Sequence, residues 1–324
     1  MRVLVAGATG AIGKRLIPML VSGGHRVYGT SRSSDKAPLI AKLGAEPLVV
    51  DALNKADVAD AIRRSSPDVV VHELTAIPPG LDLRKFREQF AATNRLRTTG
   101  TDNLLAAARQ AGVRRFVAQS FAGYSFAREG GAVNSEDAAL RSHPPRQMAT
   151  TLEAIRYLES AVLAAPIEGI VLRYGGFYGP GTSVSIDGAM IEPIRRRAFP
   201  IIGAGSGVWS WCHIDDAAAA TALTVEEGAP GIYNIADDHP AAVADWLPAL
   251  AAMVGAKPPR RIPTWLGRLL AGELAVALMN DVRGASNEKA KRDLGWKPRW
   301  PDWRIGFEHV LTNRADVAEL RKTA

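Results

Sequence analysis

The 324-residue sequence contains one cysteine, Cys212, so an internal disulfide is excluded. Its first residues lack a charged segment followed by an apolar one, and we therefore expect a cytoplasmic protein without a secretion signal. Long apolar runs are missing as well. The most apolar late stretch, residues 265–279, is interrupted by Arg268 and Glu273, which predicts a packed amphipathic helix and no membrane span.

No nucleic-acid recognition motif accompanies the net charge of +7, and the arginines are scattered except for the run Arg195–Arg197. We therefore expect no nucleic-acid partner, and an anionic cofactor or a solvated surface explains the excess of positive charge. Two groups resemble metal ligands, His72 with Glu73 and His213 with residues 215–216. Because neither is accompanied by the further ligands that complete a site, no metal is expected.

Three glycines, Gly7, Gly10 and Gly13, lie between a strand predicted at residues 2–6 and a helix predicted to begin near Ala11. In such a turn the first glycine permits the tight bend, the second lets a pyrophosphate approach the backbone, and the third lets helix and strand pack closely. The alternative is a purely structural glycine turn. We predict a dinucleotide site that includes Gly7, Gly10, Ala11, Ile12 and Gly13.

The second predicted strand, HRVYGTSR, ends in Ser31 and Arg32. A carboxylate at this place would favour the ribose hydroxyls of NAD, whereas a guanidinium would pair with the 2′-phosphate of NADP. We therefore expect NADP(H) to be favoured over NAD(H). The alternative is a surface arginine that only stacks on the adenine.

Strand and helix patterns alternate onward, with strands predicted at 46–51, 68–74, 114–120 and 168–174. Such alternation predicts an α/β fold with a doubly wound parallel sheet, helices covering both faces. After residue 174 the composition shifts to glycine, proline and aromatic residues. We predict a cofactor-binding domain of residues 1–173 plus about 213–236, and a smaller C-terminal substrate-binding domain of about 174–212 plus 237–324.

These segments together resemble the extended short-chain dehydrogenase/reductase superfamily, which includes nucleotide-sugar epimerases and dehydratases. The matching stretches are GATGAIG, VVHELTA, TNRLRTTGTDNLLAAARQAGVRRFVAQS, LRYGGFYGPG, HIDDAA and KRDLGWKPRW. The resemblance implies a Rossmann-type sheet and hydride chemistry. It implies cofactor contacts from Asp51, Ala52, Leu74, Thr75 and Ala76, and an active site containing Asn94 and Ser120.

The family's tyrosine and lysine, which move the proton, are missing. Glu159 fits the glutamate that follows the lysine by four residues, so the resemblance puts Thr151 at the tyrosine position and Ile155 at the lysine position. None of the six tyrosines has a lysine four residues later, and no lysine occurs between Lys85 and Lys257. A shifted pair is therefore excluded.

Another group would have to handle the proton. Tyr124, four residues after Ser120, is the first candidate, and Tyr178 and His143 follow. Each can equally be structural, the tyrosines as packing aromatics and His143 as a loop residue. The candidate catalytic set is therefore Ser120, Tyr124 and Asn94.

Two departures from the family bear on the substrate. Gly176 and Trp209 stand where nucleotide-sugar members carry an asparagine and an arginine for the substrate phosphates. Aromatic residues nearby would suit an apolar or aromatic ring, although each can instead fill the core of the smaller domain. The expected substrate-binding residues are Phe177, Tyr178, Trp209 and Trp211, with Phe199 and Trp265 as further aromatic candidates.

Three functions stay open. The first is an NADP(H)-dependent oxidoreductase that acts on a small apolar or aromatic carbonyl or alcohol, of the kind found in secondary metabolism. The second is a non-hydride enzyme on the same scaffold, performing an oxygenation, dehydration or isomerisation. The third is a regulatory protein that senses NADP(H). A homodimer is possible through the helices that follow the fourth and fifth strands.

Overall fold

Seven parallel strands form one sheet in the computed structural model, which describes residues 1–312. The strands are β1 (Arg2–Ala6), β2 (Arg26–Ser31), β3 (Glu46–Val49), β4 (Val69–His72), β5 (Arg115–Phe121), β6 (Glu168–Tyr174) and β7 (Gly231–Ile235). Their order across the sheet is β7-β6-β5-β4-β1-β2-β3. The predicted doubly wound parallel sheet is confirmed. Its direction of winding reverses between β1 and β4, where such folds bind ligands beyond the carboxyl ends of the strands.

The helices cover both faces of this sheet and build the part that follows it. They are α1 (Gly13–Ser22), α2 (Ala37–Lys42), α3 (Lys55–Ser65), α4 (Phe86–Gln89), α5 (Ala91–Arg95), α6 (Thr101–Gln110), α7 (Ala149–Ala164), α8 (Ile191–Arg195), α9 (Ile214–Glu226), α10 (Val243–Met253), α11 (Thr264–Asn280), α12 (Glu288–Leu294) and α13 (Trp303–Thr312). A π-helical turn, Leu96–Gly100, joins α5 to α6. Within residues 1–312 no helix is both long and apolar enough to cross a bilayer.

Short strands complete the structure outside the main sheet. Gly176–Tyr178 pairs with Trp211–His213, Ile201–Ile202 with Arg261–Ile262, Val208–Trp209 with Ala241–Ala242, and Val133–Asn134 with Gly284–Ala285. The first of these pairs continues the chain directly from β6 and leads directly into α9. The division into two domains stays a prediction.

The central strands are apolar along their whole length because both of their faces are covered. Val3 and Val5 of β1 pack below α1, with Leu16 and Ile17 of that helix in the same core. Leu4 instead packs in the core on the opposite face. This burial on two sides accounts for the continuous apolar pattern that predicted parallel strands.

Helix α11 differs from the packed amphipathic helix predicted at residues 265–279. It is interrupted at Gly272, whose φ of 87° and ψ of 173° are not helical. Most residues after this break are buried, including Leu274, whereas Trp265 and Leu269 before it are 67% and 73% exposed. The prediction is therefore correct only for the second half, because an even apolar composition does not reveal where the helix bends away from the core.

Candidate active site

The glycine-rich turn between β1 and α1 has positions that leave no space for a side chain. Gly7 has a φ of 103°, and a Cβ placed there would lie 2.7 Å from the carbonyl oxygen of Glu73. A Cβ on Gly13 would lie 2.3 Å from the carbonyl oxygen of Gly7, so helix and strand can approach only without side chains. Ile12 gives α1 no side-chain cap, and the first turn has no acidic residue. The helix N-terminus can therefore receive a phosphate group.

Helix α1 is held in place by Arg15. Its guanidinium donates to the carbonyl oxygens of Ala11 at 2.9 Å and Pro180 at 2.7 Å, and it pairs with Asp215 at the start of α9. The glycine turn is thereby tied both to α9 and to the loop after residue 178. Residue Ala11 lies in the turn between Gly10 and Gly13, and Ile12 is buried.

The ends of β2 and β3 lie at the same edge of the sheet, because Ser31 pairs with Val49. Arg32 follows β2 as an exposed side chain, and within residues 1–312 it makes no hydrogen bond or ion pair. Asp51 follows β3, also exposed, and its carboxylate accepts a hydrogen bond from the Leu53 N–H at 3.0 Å. Next to it, Ala52 is buried. Arg32 and Asp51 are thus both available to a ligand that lies along this edge.

The segment after β4 continues along the same edge of the sheet. Leu74, Thr75 and Ala76 are partly or fully exposed there, and the Ala76 N–H donates to the Thr93 hydroxyl at 2.9 Å. His72, at the end of the strand, is buried, and burial lowers its pKa to about 4. A neutral imidazole in this position holds the segment and does not act as a base near neutral pH.

Glu73 is a buried carboxyl group that entered the sequence predictions only beside His72, as part of a rejected metal-ligand pair. It lies beside Gly7 and is 5% exposed. Its Oε1 accepts a hydrogen bond from the Tyr174 hydroxyl at 3.0 Å, and its Oε2 has no hydrogen-bond partner among the described residues. Burial raises the pKa of Glu73 to about 8, so this group is mostly protonated at neutral pH. The signal available in the sequence was an acidic residue directly after an apolar strand.

The hydroxyl of Ser120, near the end of β5, forms a hydrogen bond within the protein. Its hydroxyl donates to Oε1 of Glu159 at 2.6 Å, and its side chain is 2% exposed. Arg173 holds the same carboxylate with two hydrogen bonds, of 2.8 Å from Nε and 2.7 Å from an Nη. The three residues form a closed buried group in which both carboxylate oxygens have charged or hydroxyl donors.

The position that corresponds to the missing tyrosine is buried and has no contact with solvent. Thr151 on α7 is fully buried, and its hydroxyl accepts a hydrogen bond from the Asn94 amide at 3.1 Å. Ile155, one turn further along, is 1% exposed. This part of α7 therefore offers packing and one internal hydrogen bond, and no group that exchanges protons with a ligand. Since Leu158 and Val162 of the same helix are buried in the chain's own core, they do not form a subunit interface. The homodimer stays a prediction.

Tyr124 is partly buried between aromatic rings. It stacks on Phe121 with ring centres 4.5 Å apart and meets Phe86 edge-on at 6.5 Å. Its hydroxyl interacts with the guanidinium of Arg97. Burial raises the pKa of Tyr124, and the nearby Arg97 charge opposes this only in part, so the phenol stays protonated.

Arg97 is a residue of the site that the sequence predictions did not include. It lies in the π-helical turn between α5 and α6, and it is 4% exposed. Irregular helical turns of this kind are frequent at functional sites. Its charge acts on both Tyr124 and Glu159, so it links the two parts of the site that Tyr124 and Ser120 occupy. The available signal was its spacing of three residues from Asn94, which places both on one helix face.

Of the four residues expected to bind substrate, Trp209 and Trp211 stack with ring centres 5.7 Å apart, and Phe177 and Tyr178 lie on the short strand that pairs with Trp211–His213. Trp209 is partly buried and helps to line a narrow apolar cavity of about 10 Å³, enough for roughly one water molecule. The other residues lining it are Phe121, Ala122, Gly123, Tyr124, Gly176, Ser210 and Val282. Phe177 is partly buried against Tyr174, with ring centres 5.3 Å apart.

Tyr178 and Trp211 are both buried, and their proposed contact with a substrate stays a prediction. Tyr178 is fully buried with its ring edge-on to Phe307, and Trp211 is 2% exposed and edge-on to Trp246. Both belong to the apolar core formed by α10, α13 and the short strands. Their burial favours the structural alternative, in which large aromatic side chains fill the core of this part of the protein. Burial also raises the pKa of Tyr178, which makes it a poor source of protons.

The remaining aromatic and histidine candidates lie elsewhere. Phe199 packs against the same core, and Trp265 is 67% exposed. His143 is an exposed loop residue beside Ser142, whose hydroxyl lies 2.9 Å from the imidazole Nδ1. In the described part of the chain, no group of three or more His, Cys, Asp or Glu side chains is arranged to hold a metal ion.

Comparison with known proteins identifies relatives along the whole chain. The model of the NAD dependent epimerase/dehydratase family matches residues 3–236. A Streptomyces protein described as 3-diazoavenalumate denitrifying reductase is 42% identical over 95% of this chain and 99% of its own. A ketoreductase of a farnesylated dihydroquinoline oxide from Stigmatella aurantiaca is 26% identical over 92% of each chain. Among solved structures, the UDP-glucose 4-epimerase of Thermus thermophilus in complex with NAD has a TM-score of 0.72 at 24% identity, over 96% of this chain and 98% of that one.

Proposed function

The chain belongs to the NAD-dependent epimerase/dehydratase family and is an oxidoreductase, and we propose that it reduces an electrophile that accepts hydride without needing a proton. A nicotinamide cofactor, when bound, supplies the hydride. The bare glycine turn of Gly7, Gly10 and Gly13 and the uncapped start of α1 fit its pyrophosphate. The exposed residues Arg32 and Asp51 fit its adenosine end.

The observation that carries the proposal is that, in the described structure, the positions of the family's tyrosine and lysine hold no proton-handling group. Thr151 and Ile155 are buried, and the Ser120 hydroxyl is donated to Glu159. Reduction of a carbonyl needs a proton on the oxygen as hydride adds to the carbon. A site without a proton donor at these positions suits a substrate whose leaving group departs without being protonated.

An aryl diazonium ion is such a substrate. As hydride adds to its ring carbon, the C–N bond breaks and dinitrogen leaves, so the products are the arene, dinitrogen and oxidised cofactor, and no proton is consumed. The Streptomyces relative is described as a denitrifying reductase of a diazo compound. Phe121, Trp209 and Val282 line an apolar cavity that has room for about one water molecule, so an aromatic ring would enter it only if these side chains moved apart.

Stopped-flow measurement of NADPH oxidation tests this function. We expect oxidation that saturates with the concentration of an aryl diazonium ion and has a rate independent of pH between about 6 and 8. Because such ions are reactive, a protein-free reaction and the Gly13→Ala variant serve as controls. A rate no higher than in those controls would contradict the proposal.

Reduction of an aromatic ketone is the second candidate, favoured by the protonated Tyr124 beside the cavity. The ketoreductase among the relatives supports it as well. Tyr124→Phe separates the two candidates, because it would slow a ketone reduction and leave the reduction of a diazonium ion unchanged. Saturable oxidation of NADPH by ketones alone would favour this second function.

We also propose that NADP(H) is preferred over NAD(H). The support is Arg32, an exposed guanidinium at the end of β2 with no partner within residues 1–312. Arg32→Ala should weaken NADPH binding by roughly tenfold and leave NADH binding unchanged, since one charge-assisted contact to the 2′-phosphate is lost. Arg26→Ala, at the other end of the same strand, is the matched control. An unchanged preference in Arg32→Ala would refute the idea.

A further inference from the structure

A buried acidic residue lies directly against the glycine turn. Glu73 follows β4, and its backbone N–H donates to the carbonyl oxygen of Ala6 at 2.8 Å. A Cβ placed on Gly7 would lie 3.3 Å from the Cβ of Glu73 and 2.7 Å from its carbonyl oxygen. Glu73 therefore backs the turn that fits a pyrophosphate, and the hydride step does not use it.

The carboxyl group of Glu73 is enclosed by other elements of the fold. The residue is 5% exposed, and its Oε1 accepts a hydrogen bond from the hydroxyl of Tyr174 on β6 at 3.0 Å. The same hydroxyl lies 2.7 Å from that of Thr221 on α9, and Arg15 joins α9 to α1 through Asp215. The carboxyl group is thus held beside the turn, away from solvent.

One oxygen of this carboxyl group has no partner in the described part of the chain. Oε2 is buried and makes no hydrogen bond within residues 1–312. Since Oε1 already accepts a hydrogen bond, a proton on the group lies on Oε2, where it is a donor without an acceptor. Buried donors in folded proteins are nearly always paired, so this oxygen indicates a partner that the chain does not supply.

Glu73 is also the group in this place that changes its charge just above neutral pH. Burial raises its pKa to about 8, and the hydrogen bond from Tyr174 lowers it only in part. Burial lowers the pKa of the preceding His72 to about 4 and raises the pKa values of Tyr174 and of Cys212 in the same core, so all three stay neutral. Within residues 1–312 no cation pairs with Glu73 to balance an ionised carboxylate.

We propose that Glu73 is a positioning residue of the dinucleotide site, which binds the pyrophosphate only while this carboxyl group keeps its proton. The ionised group would place a negative charge behind Gly7, against the anionic pyrophosphate, in a buried place where water screens little. Binding of the cofactor and retention of this proton therefore favour each other. The inference rests on the proposed function only for the class of cofactor, which is a dinucleotide.

Titrations with NADPH at pH 7 and pH 9 test this coupling without any turnover. The dissociation constant should rise about tenfold between these two pH values, because the neutral fraction of a group with a pKa of about 8 falls by that factor. NADH should show the same rise, since it has the same pyrophosphate and lacks the 2′-phosphate. The fluorescence of the bound nicotinamide gives both constants.

Glu73→Gln assigns the rise to this side chain, because the amide stays neutral at both pH values. A smaller rise should remain, since burial lowers the pKa of Lys14 in the first turn of α1 and this residue begins to lose its charge at alkaline pH. Glu153→Gln changes an exposed carboxylate on α7 and, as the matched control, should keep the tenfold rise. Equal rises in Glu73→Gln and the unchanged protein would overturn the inference.

Proton uptake by the unchanged protein keeps the test valid if Glu73→Gln fails to fold. Calorimetric titration of NADPH in two buffers with different heats of ionisation gives the number of protons taken up on binding. We expect about one proton at pH 9 and about 0.1 at pH 7. No uptake at pH 9 would mean that Oε2 holds a water molecule, and would overturn the inference, as would a lack of binding of both cofactors.

These outcomes are distinct from a failure of the proposed function. With saturating NADPH the site is filled at each pH between about 6 and 8, so the rate of diazonium reduction stays independent of pH whether or not Glu73 is coupled to binding. If no diazonium ion were reduced, the proton uptake on NADPH binding would still stand.

Discussion

The buried carboxyl group of Glu73 makes the stability of the folded protein depend on pH, and Glu73→Gln tests this dependence. Burial raises the pKa of Glu73 from 4.5 to about 8. The folded protein therefore keeps this proton up to about pH 8, whereas the unfolded chain releases it near its ordinary value. Raising the pH through this window consequently favours the unfolded state.

The size of the effect follows from the shift. Each pKa unit corresponds to about 1.4 kcal/mol, so the shift of Glu73 amounts to a loss of up to about 5 kcal/mol across the window. Between pH 6 and pH 8 alone the loss is about 2 to 3 kcal/mol. Asp237, whose pKa burial also raises to about 8, adds a change of the same sign. Glu73→Gln keeps an acceptor for the Tyr174 hydroxyl and removes only the titration.

Urea unfolding followed by tryptophan fluorescence at several pH values measures this directly. The unfolding free energy of the unchanged protein should fall more steeply between pH 6 and pH 8 than that of Glu73→Gln, by about 2 to 3 kcal/mol over the range. Glu153→Gln, which changes an exposed carboxylate on α7, is the control and should leave the slope as it is. Parallel curves for Glu73→Gln and the unchanged protein would refute the reasoning.

Three further predictions concern the site. Gly13→Ala should abolish the fluorescence of bound NADPH, because its Cβ would lie 2.3 Å from the carbonyl oxygen of Gly7. Gly80→Ala is the control and should keep this fluorescence, since a Cβ there meets nothing within 4 Å. NADPH binding by Gly13→Ala would contradict the assignment of the glycine turn to the cofactor. Ser120→Ala should lower the unfolding free energy by about 1 to 3 kcal/mol, since Glu159 loses a hydrogen-bond donor. The rate of diazonium reduction should stay within a few-fold of that of the unchanged protein. Complete loss of this rate would give Ser120 a direct role in the reaction. Tyr124→Phe should leave that rate unchanged in rapid-mixing experiments, and a large decrease would make Tyr124 a proton donor.

The sheet and the glycine turn were predictable from the sequence because their causes are local. A run such as that of β1, followed by three spaced glycines and an amphipathic helix, has few other structures available to it. The strand Glu168–Tyr174 coincides with the predicted range for the same reason, since apolar residues in a parallel sheet are buried on both faces. The interruption of α11 at Gly272 escaped prediction, because it depends on which half of the helix meets the core.

The candidate site was less predictable because its contacts join distant parts of the chain. Arg97, for example, is buried and interacts with Tyr124 and Glu159, which sequence spacing does not show. In the same way, nothing in the sequence distinguishes Trp211, which is in the core, from Trp209, which lines the cavity. Type and spacing predict an aromatic cluster, and only packing decides which ring a ligand can reach.

The origin of the hydrogen in the product is the most direct test of the central claim that this enzyme transfers hydride without a proton relay. An aryl diazonium ion would be reduced in ordinary water with NADPH deuterated at the transferred position, and in heavy water with ordinary NADPH, and the arene would be examined by mass spectrometry. We expect deuterium at the former C–N position in the first reaction and none in the second. Deuterium from heavy water at that position would contradict it.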